Sequence, residues 1–174
     1  FNIKSINLIF GGFFGPGDHL KDDRLHAFDG IIFRLVKAFK KKQKKFYIYG
    51  SGKPVREWIY IDDAVKAIEI AMNIKDEIIN PINITNNYSV PVKDIALKTS
   101  KILNFKGKIL NDKNYIDGDM IKKMDKQSKR YKKYFRKLKY TNIDLSIMKT
   151  INYYLENIKN WLVLLYQQLI VQIL

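Results

Sequence analysis

YGSGKPVREWIYIDD, residues 49–63, places an arginine and a glutamate between a glycine-rich turn and two aspartates. The runs on either side of the SGKP turn, KFYIYG and EWIYID, are rich in aromatic and β-branched residues, which predicts two strands that need not pair with each other. An apolar helical pattern follows, and we expect Asp62 or Asp63 to cap that helix rather than to bind a metal. The stretch therefore predicts the order strand, turn, strand and helix.

Strands and helices alternate along the rest of the chain. Further strands are predicted at INLIF, PINIT and GKILND, and apolar residues at helical spacing predict helices from Ala27, after Pro91 and over Ile143 to Leu155. The glycine cluster FGGFFGPG lacks a dinucleotide-binding pattern, so we interpret it as a tight turn rather than a cofactor cradle. This alternation predicts an α/β fold with a mostly parallel sheet.

Composition excludes some chemistry. The chain has no cysteine, which rules out disulfides, thiolate metal sites and thiol catalysis, and is consistent with a cytoplasmic location. The apolar segment WLVLLYQQLIVQIL, residues 161–174, contains three glutamines and is shorter than the roughly 18 to 20 residues that a membrane span needs. We therefore expect no membrane partner, and we expect residues 161–174 to form a tail of unassigned role.

The chain is strongly basic, with 32 Lys and Arg against 17 Asp and Glu and a net charge of +15. A charge of this size suits an anionic partner. Because the chain is also rich in Ile, Asn and Tyr, a general composition bias explains the charge better than nucleic-acid binding does. A nucleic-acid-binding module that uses Lys40 to Lys45 and residues 122–139 stays an alternative, and residues 117–139 are expected to form a solvated helix.

Five segments, taken in order, resemble the carboxyl-terminal half of the extended short-chain dehydrogenase/reductases, nearest to the branch of GDP-L-fucose synthase and its NAD-dependent epimerase/dehydratase relatives. They are FFGPGDH, LHAFDGIIFRLVKA, YGSGKPVREWIYIDDAVKAI, PINITNNYSVPVKDIA and DGDMIKKMD. The resemblance covers about residues 6–158. It implies the last Rossmann strands plus a small α/β substrate-binding domain, so we expect residues 1–160 to form the substrate-binding portion.

The resemblance also implies substrate contacts. Arg56 would bind the diphosphate of a nucleotide-diphosphate sugar, for which a planar guanidinium is suited. Tyr49 would stack on the base, and Arg34 would contact the substrate. Asp117 matches a turn aspartate that reaches back to the ribose or base, although Ile116 stands where the family has proline. The structural alternatives are that Arg56 is a surface arginine in a hairpin, that Tyr49 is a core aromatic of its strand, and that Arg34 is a solvated charge.

Three further residues correspond to positions near the reacting carbons. His26, just before a predicted helix, matches a family histidine that contacts cofactor or substrate, so we predict a catalytic role. It could also be a simple helix-start residue, and His19 is a rival candidate. Gly12 and Phe13 occupy the place from which the family approaches the nicotinamide, so with His26 they are the predicted cofactor contacts. No metal ligand is predicted.

The implied cofactor is NADP or NAD. The family's glycine-rich pyrophosphate cradle and its Tyr-x-x-x-Lys pair occur nowhere usable in these 174 residues. We therefore expect the cofactor to be bound mainly by an amino-terminal half, the chain to be inactive alone, and the partner to be a complementary Rossmann half or a second copy in a homodimer. A non-catalytic sugar-nucleotide-binding remnant is a further alternative.

Overall fold

The computed structural model describes residues 4–21, 24–124 and 128–171, with side chains as far as residue 158. It confirms the predicted α/β fold. The elements in chain order are β1 (Leu8–Phe10), β2 (Gly12–Phe14), α1 (Ala27–Lys40), β3 (Lys45–Tyr49), β4 (Val55–Tyr60), α2 (Ile61–Met72), β5 (Ile82–Ile84), β6 (Ser89–Pro91), α3 (Val92–Ile102), β7 (Lys108–Asp112), β8 (Ile121–Lys122), α4 (Lys129–Phe135) and α5 (Ile143–Val171).

The described strands form three small sheets. β1 pairs with β5, and β3 pairs with β7, both in parallel. In the third sheet β4 runs parallel to β2 and β8 and antiparallel to β6. β3 and β4 are not partners of each other, because each has its own parallel neighbour elsewhere in the chain. Parallel pairs require long crossovers, which here contain the helices.

Strand β4 separates two hydrophobic cores. Trp58 and Tyr60 enter the first core, which also takes side chains from α1, α3 and α5, whereas Ile59 enters the second core, with side chains from α2, α4 and β5. Alternate residues of a strand point to opposite sides, so one strand can serve both cores. Arg56, near the start of β4, is held between β6 and β8, where its register partners are Val90 and Lys122.

The glycine-rich segment is not entirely a turn as predicted, because its first part forms β2. A Cβ atom at Gly12 would lie 2.7 Å from Cε3 of Trp58, so only glycine allows β2 to approach β4 this closely. The turn itself comes later, where Gly15 and Gly17 have φ angles of 143° and 103°.

The prediction that Asp62 or Asp63 caps the helix is wrong. Helix α2 follows β4 directly, its N-cap position is Tyr60, and no side chain there makes a capping bond. Asp63 is instead buried and accepts hydrogen bonds from the backbone nitrogen and Oγ1 of Thr141, both at 2.7 Å, beside an ion pair with Lys66. Its carboxylate therefore joins α2 to the segment before α5.

The basic region 117–139 is more than the predicted solvated helix. It contains β8 and α4, and α4 buries Tyr131 and Phe135 in the second core. Lys133 on the same helix pairs with Asp76 at 2.8 Å. Aromatic residues among the lysines thus anchor this segment while its charges face outward.

Helix α5 continues past residue 160 to Val171, and residues 172–174 lie outside the described residues. The predicted division of the chain at residue 160 stays a prediction. No helix in the described ranges has both the length and the apolar character that crossing a membrane requires.

Candidate substrate and catalytic site

Arg34, Tyr49 and Tyr115 form a stack that we call the aromatic cluster. The guanidinium carbon of Arg34 lies 3.9 Å from the centroid of the Tyr49 ring, and the Tyr49 and Tyr115 rings stack at 4.0 Å with 20° between their planes. Two backbone carbonyls fix the position of Arg34, since its Nε donates to the carbonyl of Gly30 and its Nη1 to that of Tyr47, each at 3.2 Å. The cluster is a set of flat surfaces with both tyrosines about half exposed.

Residues 113–120, between β7 and β8, form a loop that carries Tyr115 and that we call the Asp117 loop. Asp117 joins this loop to the turn after β3. Its carboxylate accepts from the backbone nitrogen of Ser51 at 2.8 Å and from the Ser51 hydroxyl, and these bonds lower the pKa of Asp117. Gly50 has a φ of 69°, and a Cβ atom there would lie 2.3 Å from Oδ1 of Asp117. Arg34, Tyr49 and Asp117, which the sequence predicted separately, therefore lie in one region.

Arg56 opens onto a neighbouring space, the Arg56 cavity, of about 500 Å³. Its Nη1 donates to the carbonyl of Val55 at 2.9 Å, and its Nη2 lies 3.7 Å from the position that a Cβ atom of Gly118 would take. Arg56 thus lines this cavity and also lies beside the Asp117 loop. Residues that line it include Phe10, Gly12, Arg56, Glu57, Lys122 and Lys123.

Glu57 has a different role from its neighbour Arg56. The residue is buried, and its carboxylate accepts from the Thr85 hydroxyl and from the backbone nitrogen of Met124, the latter at 2.9 Å. These bonds join β4 to the end of β5 and to the segment after β8. In the Arg-Glu pair, the buried glutamate therefore joins the elements of the cavity wall, and the partly buried arginine supplies the positive charge.

His26 lines a second space, the His26 cavity, of about 270 Å³. Its imidazole ring is 68% exposed, and its Nδ1 lies 3.1 Å from Oδ2 of Asp18. Phe13, a predicted cofactor contact, lines the same cavity and is 40% exposed. Gly12, the adjacent predicted contact, lines the Arg56 cavity instead, because neighbouring strand residues face opposite sides.

The floor of the His26 cavity is the carboxyl of Asp29, which has no solvent exposure. It accepts from the backbone nitrogen of Gly15 at 3.3 Å and from the hydroxyl of Tyr154 at 3.0 Å. Burial raises the pKa of Asp29 to about 7, although the Tyr154 hydrogen bond opposes that rise. A buried carboxyl that can hold a proton near neutral pH is typical of functional sites.

Sequence reasoning missed three residues of these sites. Tyr115 lies two positions before the predicted Asp117 and offered an aromatic signal, whereas Asp18 was visible only as part of FFGPGDH. Asp29 lies inside the apolar pattern of α1. An acid in the first turn of a helix is ordinarily interpreted as a favourable charge near the positive end of the helix dipole. Among the described residues, no group of three or more histidines or acids could hold a metal ion.

The model of the NAD dependent epimerase/dehydratase family matches residues 1–85. Over these 85 of its 174 residues, the chain is similar to this family. The matched segment contains all but one of the predicted site residues, namely Gly12, Phe13, His26, Arg34, Tyr49 and Arg56, and Asp117 lies beyond it.

Similar proteins include a GDP-L-fucose synthase from Dictyostelium discoideum, 27% identical over 161 residues that make up 90% of this chain and 48% of that protein. The Escherichia coli K12 GDP-L-fucose synthase is 21% identical over 83% of this chain and 46% of its own length. A solved structure of a GDP-L-fucose synthetase from Naegleria fowleri bound to NADP superposes with a TM-score of 0.78 at 25% identity, covering 88% of this chain and 47% of that one. The chain thus spans about half the length of these relatives.

Proposed function

We propose that this chain is the substrate-binding portion of an NAD(P)-dependent epimerase/reductase that acts on a GDP-sugar. The observation that carries the proposal is that the aromatic cluster, Asp117 and Arg56 are neighbours, since Asp117 binds the turn after Tyr49 and Gly118 lies beside the guanidinium of Arg56. A nucleoside diphosphate has the same order of chemistry, since a flat base is followed by a polar ribose and then by two negative phosphates. The names of the relatives point to guanosine as the nucleoside.

Each part of this surface has a chemical role in the proposal. In the aromatic cluster, Arg34 and Tyr115 cover the two faces of the Tyr49 ring, so in the proposal the base stacks on the outer face of the half-exposed Tyr115. Stacking contacts of this kind contribute about 1 to 3 kcal/mol. Arg56 offers a planar fork to a phosphate, and Lys122 and Lys123 add positive charge at the same cavity. Asp117 accepts a hydrogen bond from Ser51 and in this way fixes the aromatic cluster relative to Arg56.

The His26 cavity supplies the reacting end. Phe13 presents an exposed ring and His26 an exposed imidazole at one cavity, and these two groups fit contact with the nicotinamide end of the cofactor. NADP or NAD, when bound, supplies the hydride chemistry. In the proposal, His26 holds or accepts a proton at Nε2 beside the reacting carbon, while Phe13 excludes water from it.

Most of the cofactor's contacts belong, in this proposal, to a partner with a dinucleotide-binding fold. Among the described residues, β1 pairs with β5 alone, and Ile9 in the middle of β1 is 45% exposed. An unpaired edge of a parallel strand is suited to accept another strand. We therefore propose that a complementary Rossmann half extends the sheet of β1 and β5 at the β1 edge.

Two measurements test the proposal. Calorimetry of residues 1–174 is expected to detect weak binding of GDP-L-fucose, weaker binding of UDP-glucose, and no binding of NADP. Addition of the amino-terminal half of the Dictyostelium discoideum relative is expected to restore NADP binding and turnover. Tight NADP binding by the chain alone, or equal affinity for the two nucleotide sugars, would contradict the proposal.

A further inference from the structure

Asp18 stands at the entrance of the His26 cavity and receives three hydrogen-bond contacts. Its Oδ1 accepts from the backbone nitrogen of His19 at 2.8 Å. Its Oδ2 lies 3.1 Å from both the backbone nitrogen and the ring Nδ1 of His26. The side chain of Asp18 is only 12% exposed, so this carboxylate is a fixed part of the turn rather than a mobile surface charge.

The contact with Asp18 determines where His26 carries its proton. A carboxylate accepts hydrogen bonds, so Nδ1 must be the N–H donor in this pair. In the neutral ring Nε2 is then the unprotonated nitrogen, with a lone pair available. Among the described residues Nε2 has no hydrogen-bond partner, and the ring lines the cavity that Phe13 also lines.

Asp18 is itself held from the protein interior. Its backbone carbonyl accepts from the hydroxyl of Tyr153 at 3.3 Å. Three residues earlier, the backbone nitrogen of Gly15 donates to the buried Asp29, which also accepts from Tyr154. Two neighbouring tyrosines of α5 therefore fasten both ends of the turn from Gly15 to Asp18.

We propose that Asp18 is the positioning residue of His26, holding its ring in one orientation and in the Nδ1–H form so that Nε2 faces the reacting end of the substrate. The catalytic meaning of this arrangement rests on the proposed function. The arrangement itself does not, because the tautomer is a property of the chain alone. In the reaction, a proton that leaves the substrate would move to Nε2, and Nδ1 would keep its own proton throughout.

The direct test is the nitrogen-15 spectrum of the 174-residue chain labelled at histidine. His19 and His26 are its only histidines, so His19 is an internal reference in the same spectrum. At a pH where the rings are neutral, wild-type His26 is expected to show the Nδ1–H pattern. A predominant Nε2–H pattern in the wild-type chain would overturn the proposal without any variant.

The Asp18→Asn variant sharpens the test because an amide is a weaker acceptor of nearly the same shape. His26 is expected to move toward the mixed tautomers of a solvent-exposed imidazole, while His19 shifts little. Asp144→Asn is the matched control, since Asp144 pairs with Lys98 on the surface. An unchanged His26 pattern in folded Asp18→Asn would overturn the proposal, and if this variant does not fold, the wild-type spectrum still decides.

A second arm uses the chain complemented by a relative's amino-terminal half. Asp18→Asn is expected to lower kcat at least tenfold while KM for GDP-L-fucose changes less than threefold, whereas Asp144→Asn leaves both unchanged. An unchanged kcat in Asp18→Asn would overturn the positioning role. If no complemented sample turns over, the proposed function fails, and the tautomer measurement still stands as the separate test of Asp18.

Discussion

The aromatic cluster and the His26 cavity are built in opposite ways. Tyr49 and Tyr115 of the cluster are each about half exposed, and what holds the cluster together is stacking and a surface hydrogen-bonded turn. The His26 cavity instead rests on Asp29, a fully buried carboxyl tied to α5 through Tyr154. Substitutions in the aromatic cluster should therefore change ligand affinity and spare the fold. Substitutions beneath His26 should change stability and its pH dependence.

The largest expected effect comes from Asp29. Burial raises the pKa of Asp29 from 3.8 to about 7 in the folded chain, so between these values the folded state keeps a proton that the unfolded state has lost. The free energy of unfolding must therefore fall as pH rises from 4 to 7, and level off above. With about 1.4 kcal/mol for each pH unit, the fall from this group is roughly 4 kcal/mol.

The Asp29→Asn variant removes this titration while it keeps a polar side chain of the same shape. Urea unfolding at a series of pH values is expected to give a curve that is flatter than the wild-type curve between pH 4 and 7. Asp144→Asn, at an exposed carboxyl, should leave the wild-type slope unchanged. Equal slopes for the wild type and Asp29→Asn between pH 4 and 7 would show that Asp29 does not hold a proton in the folded chain over this range.

The second effect concerns Arg56, which is partly buried beside Gly118 on the substrate side of the molecule. Arg56→Ala should weaken GDP-L-fucose binding by about 1.5 to 3 kcal/mol, or roughly ten- to a hundredfold, because one charge-assisted contact to phosphate is lost. Arg56→Lys should also weaken binding, since an ammonium cannot form two parallel bonds to a phosphate. Calorimetry on the chain measures both variants.

Lys53 is the matched control for Arg56, because it is an exposed cation on the turn that precedes β4. Lys53→Ala should change the affinity far less than Arg56→Ala does. Equal losses in the two variants would mean that this region attracts phosphate through diffuse charge alone. In either variant the free energy of unfolding should stay close to the wild-type value, in contrast to the expected result for Asp29.

The third effect separates the two exposed tyrosines of β3. Tyr49→Ala removes the ring between Arg34 and Tyr115, so that Tyr115 loses the surface against which it stacks, and it should cost about 1 to 3 kcal/mol of binding to GDP-L-fucose, as expected when a base-stacking platform is lost. Tyr47, two residues earlier on the same strand, is similarly exposed, and it holds Arg34 through its backbone carbonyl rather than its ring. Tyr47→Ala should therefore bind almost as the wild type does. The reverse order would exclude the stack of Tyr49 and Tyr115 as the base-binding platform.

The contrast between the regions also explains what the sequence could predict. The strands flanking the SGKP turn and the helices with clear apolar periodicity were predictable because local propensity and burial agree there. Arg34, Tyr49 and Arg56 lie in or beside recognisable motifs. Asp29 was not predictable, since its role depends on Tyr154, which is 125 residues away. The capping prediction failed for the same reason, because the hydroxyl that binds the buried Asp63 belongs to Thr141, which is 78 residues away.

The smallest expected effect is that of Asp117, and its direction is informative. Hydrogen bonds from Ser51 lower the pKa of Asp117, so its stabilising contribution is complete above the ordinary carboxyl pKa of 3.8 and is lost as pH falls below it. Removal of a negative charge near a phosphate site should by itself strengthen the binding of an anion. Asp119→Asn, an exposed change of the same charge two residues away, measures that effect alone.

Asp117→Asn should do the opposite and weaken GDP-L-fucose binding slightly, because an amide cannot accept from both the backbone nitrogen and the hydroxyl of Ser51 as the carboxylate does. The turn after β3 would then loosen against the loop that carries Tyr115. The loss should be smaller than that of Tyr49→Ala, because the stacking rings remain. Matching gains of affinity in Asp117→Asn and Asp119→Asn would mean that Asp117 acts only through its charge. The Asp117 loop and the turn after β3 would then lack the fixed relative position that the proposed function requires.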